Sequence, residues 1–94
     1  MRLLVSTPKF QRAFRKFVKQ NPDLQQRIED TLQEMEADVF SPNLGTHKLS
    51  GKLEGFQSCS CGYHCRVVFS IEQDTDTNSE VIVLLDIETH DEVY

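Results

Sequence analysis

Few features of this 94-residue sequence point to secretion or to a membrane. The N-terminal segment holds only three successive apolar residues, Leu3–Val5, which is too short a run for a signal peptide or a transmembrane helix. Cysteine is also scarce, with three residues in the sequence. Three is an odd number, and in a reducing compartment the residues predict free thiols rather than a disulfide framework. Neither an internal repeat nor a low-complexity segment is present. We therefore expect one cytoplasmic domain over residues 1–94.

The N-terminal part of the chain lacks acidic residues, and the C-terminal part lacks basic ones. Residues 1–20 hold six basic side chains and no acidic one, whereas residues 72–94 hold eight acidic side chains and no basic one. The net charge of −5 argues against a nucleic-acid-binding protein, since phosphate affinity comes from Lys and Arg. The separation of the charges predicts a molecule with a positive side and a negative side, unless it reflects only a solvated surface.

The N-terminal half predicts a strand and then two helices. Residues 1–6 form a short apolar run, and Thr7-Pro8 is an N-cap with proline at the first helical position. A first helix is expected over Pro8–Lys19 with its phenylalanines in the core. A second helix is expected from about Pro22, so that the two form an antiparallel αα-hairpin. The opposite face of the first helix is basic and is either solvated or phosphate-facing; it carries Lys9, Arg12, Lys16 and Lys19.

The C-terminal half predicts three strands. Residues 47–61 indicate a strand interrupted by a glycine-flanked turn, and Gly62-Tyr63 indicates a tight reversal into a strand over residues 64–72. The polar segment 73–79 is expected to be a mobile loop. Five consecutive apolar residues, Val81–Leu85, predict a central strand covered on both faces. The expected fold is α+β in the order β-α-α-β-β-β, with a helical hairpin on one face of a mostly antiparallel four-stranded sheet.

The cluster of cysteine and histidine residues around the reversal allows two interpretations. Cys59, Cys61, His64 and Cys65 form a C-x-C-x2-H-C pattern that could bind zinc tetrahedrally. Its spacing differs from the C-x2-C pairs typical of structural zinc sites, so buried thiols acting as small apolar residues are the favoured interpretation. We therefore predict no metal.

Three motifs carry a resemblance to a known family. They are His47-x-Leu49-x-Gly51 followed by Gly55-Phe56, then Arg66-Val67-Val68-Phe69, and finally His90-Asp91-Glu92-Val93-Tyr94. In this order and at this spacing, the chain resembles the RelE/ParE toxin superfamily, specifically its RelE and YafQ-like ribosome-dependent mRNA interferases. The resemblance implies a small toxin that a separate antitoxin neutralises, and that cleaves mRNA in the ribosomal A site without a metal or a small-molecule cofactor.

The resemblance also assigns roles to single residues. Arg66 matches the arginine that stabilises the scissile phosphate, and His47 and His90 match two histidines of YafQ-like members. Tyr94 matches a terminal aromatic residue that stacks on a base or assists proton transfer, although it could also be a packed aromatic side chain. A histidine suits proton transfer near neutral pH, which makes His90 the hypothesised base or acid. Lys48 and Lys52 would add binding charge on the same side of the sheet.

Several departures from the family pattern keep other interpretations open. Ser60, His64 and Asp86 stand where YafQ-like enzymes have histidine, aspartate and arginine, and the lysines of RelE-like enzymes in the second sheet strand are missing. Arg66 could pair with Asp86 or Glu88 across neighbouring strands, and His47 could be an ordinary half-buried residue. The alternative function is a non-catalytic binding module. Such a module would be either a ParE-like protein directed at gyrase or a decayed toxin that only binds its antitoxin.

Overall fold

A computed structural model describes residues 3–51, 54–62 and 65–89, and these residues form two helices and one five-stranded sheet. The elements are β1 (Leu3–Ser6), α1 (Pro8–Gln20), α2 (Gln25–Asp38), β2 (His47–Lys48), β3 (Gln57–Ser60), β4 (Cys65–Asp74) and β5 (Ser79–Thr89). The strand order is β1-β5-β4-β3-β2, with β1 parallel to β5 and every other pair antiparallel. The predicted α+β class and mostly antiparallel sheet are confirmed. The predicted count of four strands is one too low, because the two-residue β2 is separate from β3.

The helices begin close to where the sequence signals place them. The Thr7 hydroxyl accepts a hydrogen bond from the Phe10 amide at 3.1 Å and donates one to the Leu84 carbonyl at 2.8 Å, so the cap of α1 is also tied to β5. The second helix starts three residues later than predicted. Pro22–Leu24 winds as a tighter 3₁₀ turn, in which the Leu24 amide donates to the Asn21 carbonyl at 3.0 Å.

Both helices pack on the same face of the sheet, as predicted. Phe10 of α1 and Ile28 and Met35 of α2 are buried in one cluster with the inward side chains of β3, β4 and β5. Those inward side chains are Cys59, Val67, Phe69, Ile82, Leu84 and Ile87. We call this side of the sheet the core face and the opposite side the outer face.

A β-bulge in β5 decides which of its residues reach the outer face. Val68 lies opposite Asp86, but the next residue, Phe69, lies opposite Leu84, so Leu85 is an extra residue without a partner. Leu84 and Ile87, three residues apart, consequently both point into the core. Strict alternation would have placed Asp86 beside Leu84 on the core face. The bulge turns this carboxylate to the outer face instead.

β5 is an interior strand between β1 and β4, but it is not covered equally on its two faces. Ile82 and Leu84 are buried, whereas Val81, Val83 and Leu85 are only half-buried. The predicted central position is therefore confirmed, and the predicted coverage of both faces is wrong. Among the described residues, no helix is long and apolar enough to cross a membrane.

The predicted loop over residues 73–79 is shorter than expected. β4 continues to Asp74 and β5 starts at Ser79, so only four residues connect the two strands. Asn78 adopts a positive φ of 56°, and its amide donates to the Asp74 carbonyl at 2.7 Å. Asparagine tolerates this left-handed conformation, which lets both strands extend further than their apolar residues indicate.

The expectation that the chain has no disulfide is wrong. Cys61 and Cys65 are bonded to each other across the reversal between β3 and β4, with their Cα atoms 5.0 Å apart. This separation lies within the usual range for a disulfide, and the tight reversal brings it about. The bond also uses two of the sulfur atoms that the zinc interpretation requires. Only Cys59 is a buried free thiol, as predicted for all three.

Thiol counting should distinguish these states. Burial raises the pKa of the Cys59 thiol to about 12, and the side chain has no solvent exposure, so we expect no reaction with a thiol reagent at pH 8 in the folded, unreduced chain. Unfolding in denaturant should expose one reactive thiol, and reduction before unfolding should raise the count to three. Three thiols in the denatured but unreduced chain would contradict the disulfide.

Candidate functional site

Polar side chains from four strands meet on the outer face in two neighbouring rows. Directly opposite residues share a face of a sheet, so the strand registers define each row. The first row is His47, Ser58, Val68 and Asp86, and the second row is Ser60, Arg66 and Glu88. The predicted residues His47 and Arg66 are therefore on the same face. From strand spacing, their Cα atoms are roughly 12 Å apart, a gap that two long side chains can bridge around one phosphodiester.

The ring of His47 is held by contacts on both nitrogens. Its Nδ1 lies 3.0 Å from the Gly45 carbonyl, and since a carbonyl only accepts, Nδ1–H is the donor. In the neutral ring Nε2 is then the acceptor nitrogen, and it lies 3.5 Å from the Ser58 hydroxyl. Nε2 is therefore the atom of His47 that can take up a proton.

Ser58 is a site residue that the sequence motifs did not reveal. It has no solvent exposure, and its hydroxyl contacts His47 across the β2–β3 pair. A signal does exist in the alternation of β3, where Ser58 and Ser60 point to the outer face and Cys59 points to the core. That signal becomes readable only once the pairing with His47 is known.

Arg66 is half-buried in β4 and has a carboxylate as its cross-strand neighbour. Glu88 stands directly opposite it in β5, as one of the two predicted pairings required. Asp86, the other predicted partner, belongs to the neighbouring row. Its carboxylate lies 3.5 Å from the Nζ of Lys9, with side-chain exposures of 17% for Asp86 and 68% for Lys9. The arginine therefore shares the outer face with two carboxylates, Asp86 and Glu88.

The basic face of α1 is exposed, as one of its two interpretations predicted. Part of this face lies opposite acidic residues of β5. Lys9, Arg12 and Lys16 line a groove of about 420 Å³ between α1 and β5, and Asp86 and Glu88 line its other side. Lys19 is also exposed, one turn further along α1. The separation of charges in the sequence thus becomes a groove with basic and acidic walls.

One predicted site residue that the structure describes is not brought to this face. Lys48 is exposed, but as the residue after His47 in β2 it points to the opposite side of the sheet, so the prediction that it shares the side of Arg66 is wrong. The other predicted positions, Lys52, His64, His90 and Tyr94, lie outside the described residues.

Comparison with known proteins gives a result for the fold only. No family model matches the sequence, and no curated protein matches it. Among solved structures, YafQ from E. coli strain BL21(DE3) superposes with a TM-score of 0.75 at 7% identity, over 100% of this chain and 99% of that chain. YafQ in the E. coli DinJ–YafQ toxin–antitoxin complex gives 0.72 at 8% identity, over 99% and 97%.

A further similar structure comes from another organism. The conserved hypothetical protein HP0894 from Helicobacter pylori superposes with a TM-score of 0.71 at 23% identity, over 100% of both chains. All three similarities extend over essentially the whole chain, as the sequence resemblance predicted. The chain therefore has the RelE-like toxin fold of YafQ.

Proposed function

We propose that this chain is the toxin of a type II toxin–antitoxin module and that it cleaves ribosome-bound mRNA by metal-independent acid–base catalysis. The observation that carries the proposal is the placement of Arg66 and His47 on one outer face of a RelE-like fold. The antitoxin partner is proposed from the similarity to YafQ in its complex with DinJ. The mRNA substrate and the ribosome are proposed from the three sequence motifs.

The reaction requires three groups, and we propose that residues of this face and of the C-terminal motif supply them. The 2′-oxygen forms a bond to phosphorus while a base takes its proton, and the bond to the 5′-oxygen breaks as an acid protonates that oxygen. Arg66 is the proposed clamp on the phosphate, because its planar guanidinium stays charged and binds two oxygens at once. His47 and His90 are the proposed proton-transfer residues, and Tyr94 is proposed to stack on a base or assist them.

Binding of the ribosome would use charge outside the catalytic face. The exposed basic face of α1 is the proposed contact with ribosomal RNA or with an acidic antitoxin segment, and Lys48 and Lys52 are proposed to add to it. Lys9 contributes least, since Asp86 already neutralises it. We propose a cytoplasmic protein without a cofactor.

One observation favours a second function. Glu88 directly opposite Arg66 disfavours a phosphate there, because a phosphodiester and a carboxylate repel each other. A non-catalytic module that binds gyrase, or that only binds an antitoxin, would not need a phosphate-binding arginine.

Mapping of mRNA 5′ ends separates the two functions. The chain is induced in cells, ribosomes are isolated, and the 5′ ends of their mRNA are sequenced. We expect discrete new ends within codons. DNA damage without new ends would instead support the gyrase-directed module.

A further inference from the structure

A small pocket opens on the outer face beside the row that contains Arg66. It has a volume of about 120 Å³, and β4, β5, the segment before β3 and the start of α1 contribute to it. The lining residues are Lys9, Phe56, Val68, Leu85, Asp86 and Glu88. This volume is below the roughly 300–1,000 Å³ of sites for drug-sized ligands, so the pocket suits a fragment the size of a single ring system. We call it the outer pocket.

One side of the outer pocket is apolar. Phe56 precedes Ser58 by two residues, so both side chains lie on the outer face. The backbone of Phe56 is fixed, because its carbonyl accepts from the Leu49 amide at 3.0 Å. Val68 is only 4% exposed, and Phe56 and Leu85 line the pocket beside it. The half-buried ring of Phe56 is therefore placed where a flat ligand could stack on it.

The other side of the outer pocket offers hydrogen-bond acceptors. Asp86 is anchored, since its Oδ1 accepts from the Ile87 amide at 2.9 Å and its Oδ2 lies 3.5 Å from the Nζ of Lys9. Glu88 stands opposite Arg66, and a carboxylate accepts up to about four hydrogen bonds, so a ligand can share it with the arginine. Lys9 already supplies a positive charge, which disfavours a cationic side chain as the ligand.

The outer pocket adjoins the proposed phosphate clamp. Glu88 lines the pocket and is the cross-strand neighbour of Arg66, while Val68 and Asp86 belong to the next row. Neighbouring rows on one face are roughly 7 Å apart, because two residues of a strand rise by that distance. A ribose spans such a gap between its phosphate and its base. A phosphodiester on Arg66 would therefore bring the base of an adjoining nucleotide over the pocket.

We infer that the outer pocket binds a guanine base of RNA, which stacks on Phe56 and donates hydrogen bonds to Glu88. Guanine is the common RNA base whose Watson–Crick edge presents two adjacent donors, N1–H and the N2 amine, and a carboxylate accepts both at once. Adenine, cytosine and uracil each bring at least one acceptor against the carboxylate. The inference rests on the proposed function for its RNA substrate, and it makes Glu88 a residue that selects the substrate.

A set of RNA pentamers tests the inference by binding alone. Each has the sequence U-U-X-U-U with guanine, hypoxanthine, adenine or cytosine at X, and 2′-O-methyl groups remove the nucleophile for cleavage. The pentamers are titrated into the isotopically labelled chain, and the amide NMR signals of Val68 and Leu85 are followed. We expect guanine to bind about tenfold more tightly than adenine or cytosine. Hypoxanthine lacks the N2 amine and should bind about threefold more weakly than guanine.

Variants of the chain assign the preference to its residues. Glu88→Gln should remove the preference for guanine, because an amide offers one acceptor and one donor in place of two acceptors. Glu80→Gln, the same substitution at an exposed position near the start of β5, should preserve it. Both variants remove one negative charge, so a general charge effect would alter both. Phe56→Leu should weaken all four pentamers by about fivefold and keep their order, because it removes only the stacking.

Two results would overturn the inference. One is equal binding of the guanine and hypoxanthine pentamers, or binding that leaves the signals of Val68 and Leu85 unchanged. The other is tighter binding of Nα-acetyl-lysine amide than of the guanine pentamer at these signals, since the pocket would then fit a cationic side chain of a partner protein.

The test separates this inference from the proposed function, because the pentamers cannot be cleaved. A preference for guanine without new mRNA ends in cells would contradict the proposed function and leave the outer pocket as a guanine site. New mRNA ends in cells, together with equal binding of the guanine and hypoxanthine pentamers, would contradict only the inference.

Discussion

Replacing Arg66 by alanine is expected to lower the rate of mRNA cleavage in a purified translation reaction by about 100- to 1,000-fold. The guanidinium is the only cation that the strand registers place on the outer face beside His47 within the described residues. Negative charge builds on the phosphate in the transition state, and in a partly buried site a fixed positive charge stabilises it strongly. Arg66→Lys should recover part of the rate, because it keeps the charge and loses the bidentate geometry.

A matched substitution controls for the loss of charge. Arg15→Ala removes an exposed arginine from α1 on the side away from the groove between α1 and β5, and it should leave the rate within about twofold. Circular dichroism and thermal unfolding would show that both variants are folded. A folded Arg66→Ala chain that cleaves at the unsubstituted rate would remove the arginine from the mechanism.

Inserting one alanine between Asp86 and Ile87 is expected to destroy the cooperative fold. The alternation of β5 would then turn Ile87 to the outer face and carry Glu88 to the core face. Burying a carboxylate without a partner costs several kcal/mol, which is comparable to the whole stability of a small domain at about 5–15 kcal/mol. The expected result in urea is a loss of the sigmoidal unfolding transition.

Deletion of Leu85 is the matched control for the insertion. It removes the bulge and a half-buried side chain, but Asp86 then follows Leu84 directly and stays on the outer face, so the free energy of unfolding should fall by only about 1 kcal/mol. If the insertion variant unfolds with the same midpoint as the deletion variant, the alternation of β5 does not decide which side chains are buried.

Local signals in the sequence predicted the helices well because those signals act over a few residues. The Thr7-Pro8 cap and the phenylalanines of α1 lie within one helix, and both are where the pattern indicated. The α+β class followed from the same kind of pattern. The two-residue β2 was missed because its partner Ser58 is eleven residues away from His47.

The candidate site was harder to predict because it depends on the register between strands. The run Val81–Leu85 is apolar throughout, so it has no alternation that could reveal the bulge or the face on which Asp86 lies. The disulfide was missed for a related reason. An odd number of cysteines carries no information on whether Cys61 and Cys65 meet across a reversal.

Phosphate binding at the candidate site depends on whether the positive charge of Arg66 prevails over the carboxylate of Glu88. Both residues lie on the outer face, directly opposite each other in β4 and β5. A phosphodiester bound to Arg66 must tolerate the neighbouring carboxylate or displace it. The nuclease function requires the arginine to prevail, and the non-catalytic module does not.

The most direct test is the chemical nature of the new mRNA ends at ribosomes after the chain is induced in cells. Attack by the 2′-hydroxyl leaves a 5′-hydroxyl on the downstream fragment, so the account predicts discrete 5′-hydroxyl ends within A-site codons that disappear in Arg66→Ala. Ribosomal mRNA without such ends, in cells whose growth the induced chain still stops, would contradict it.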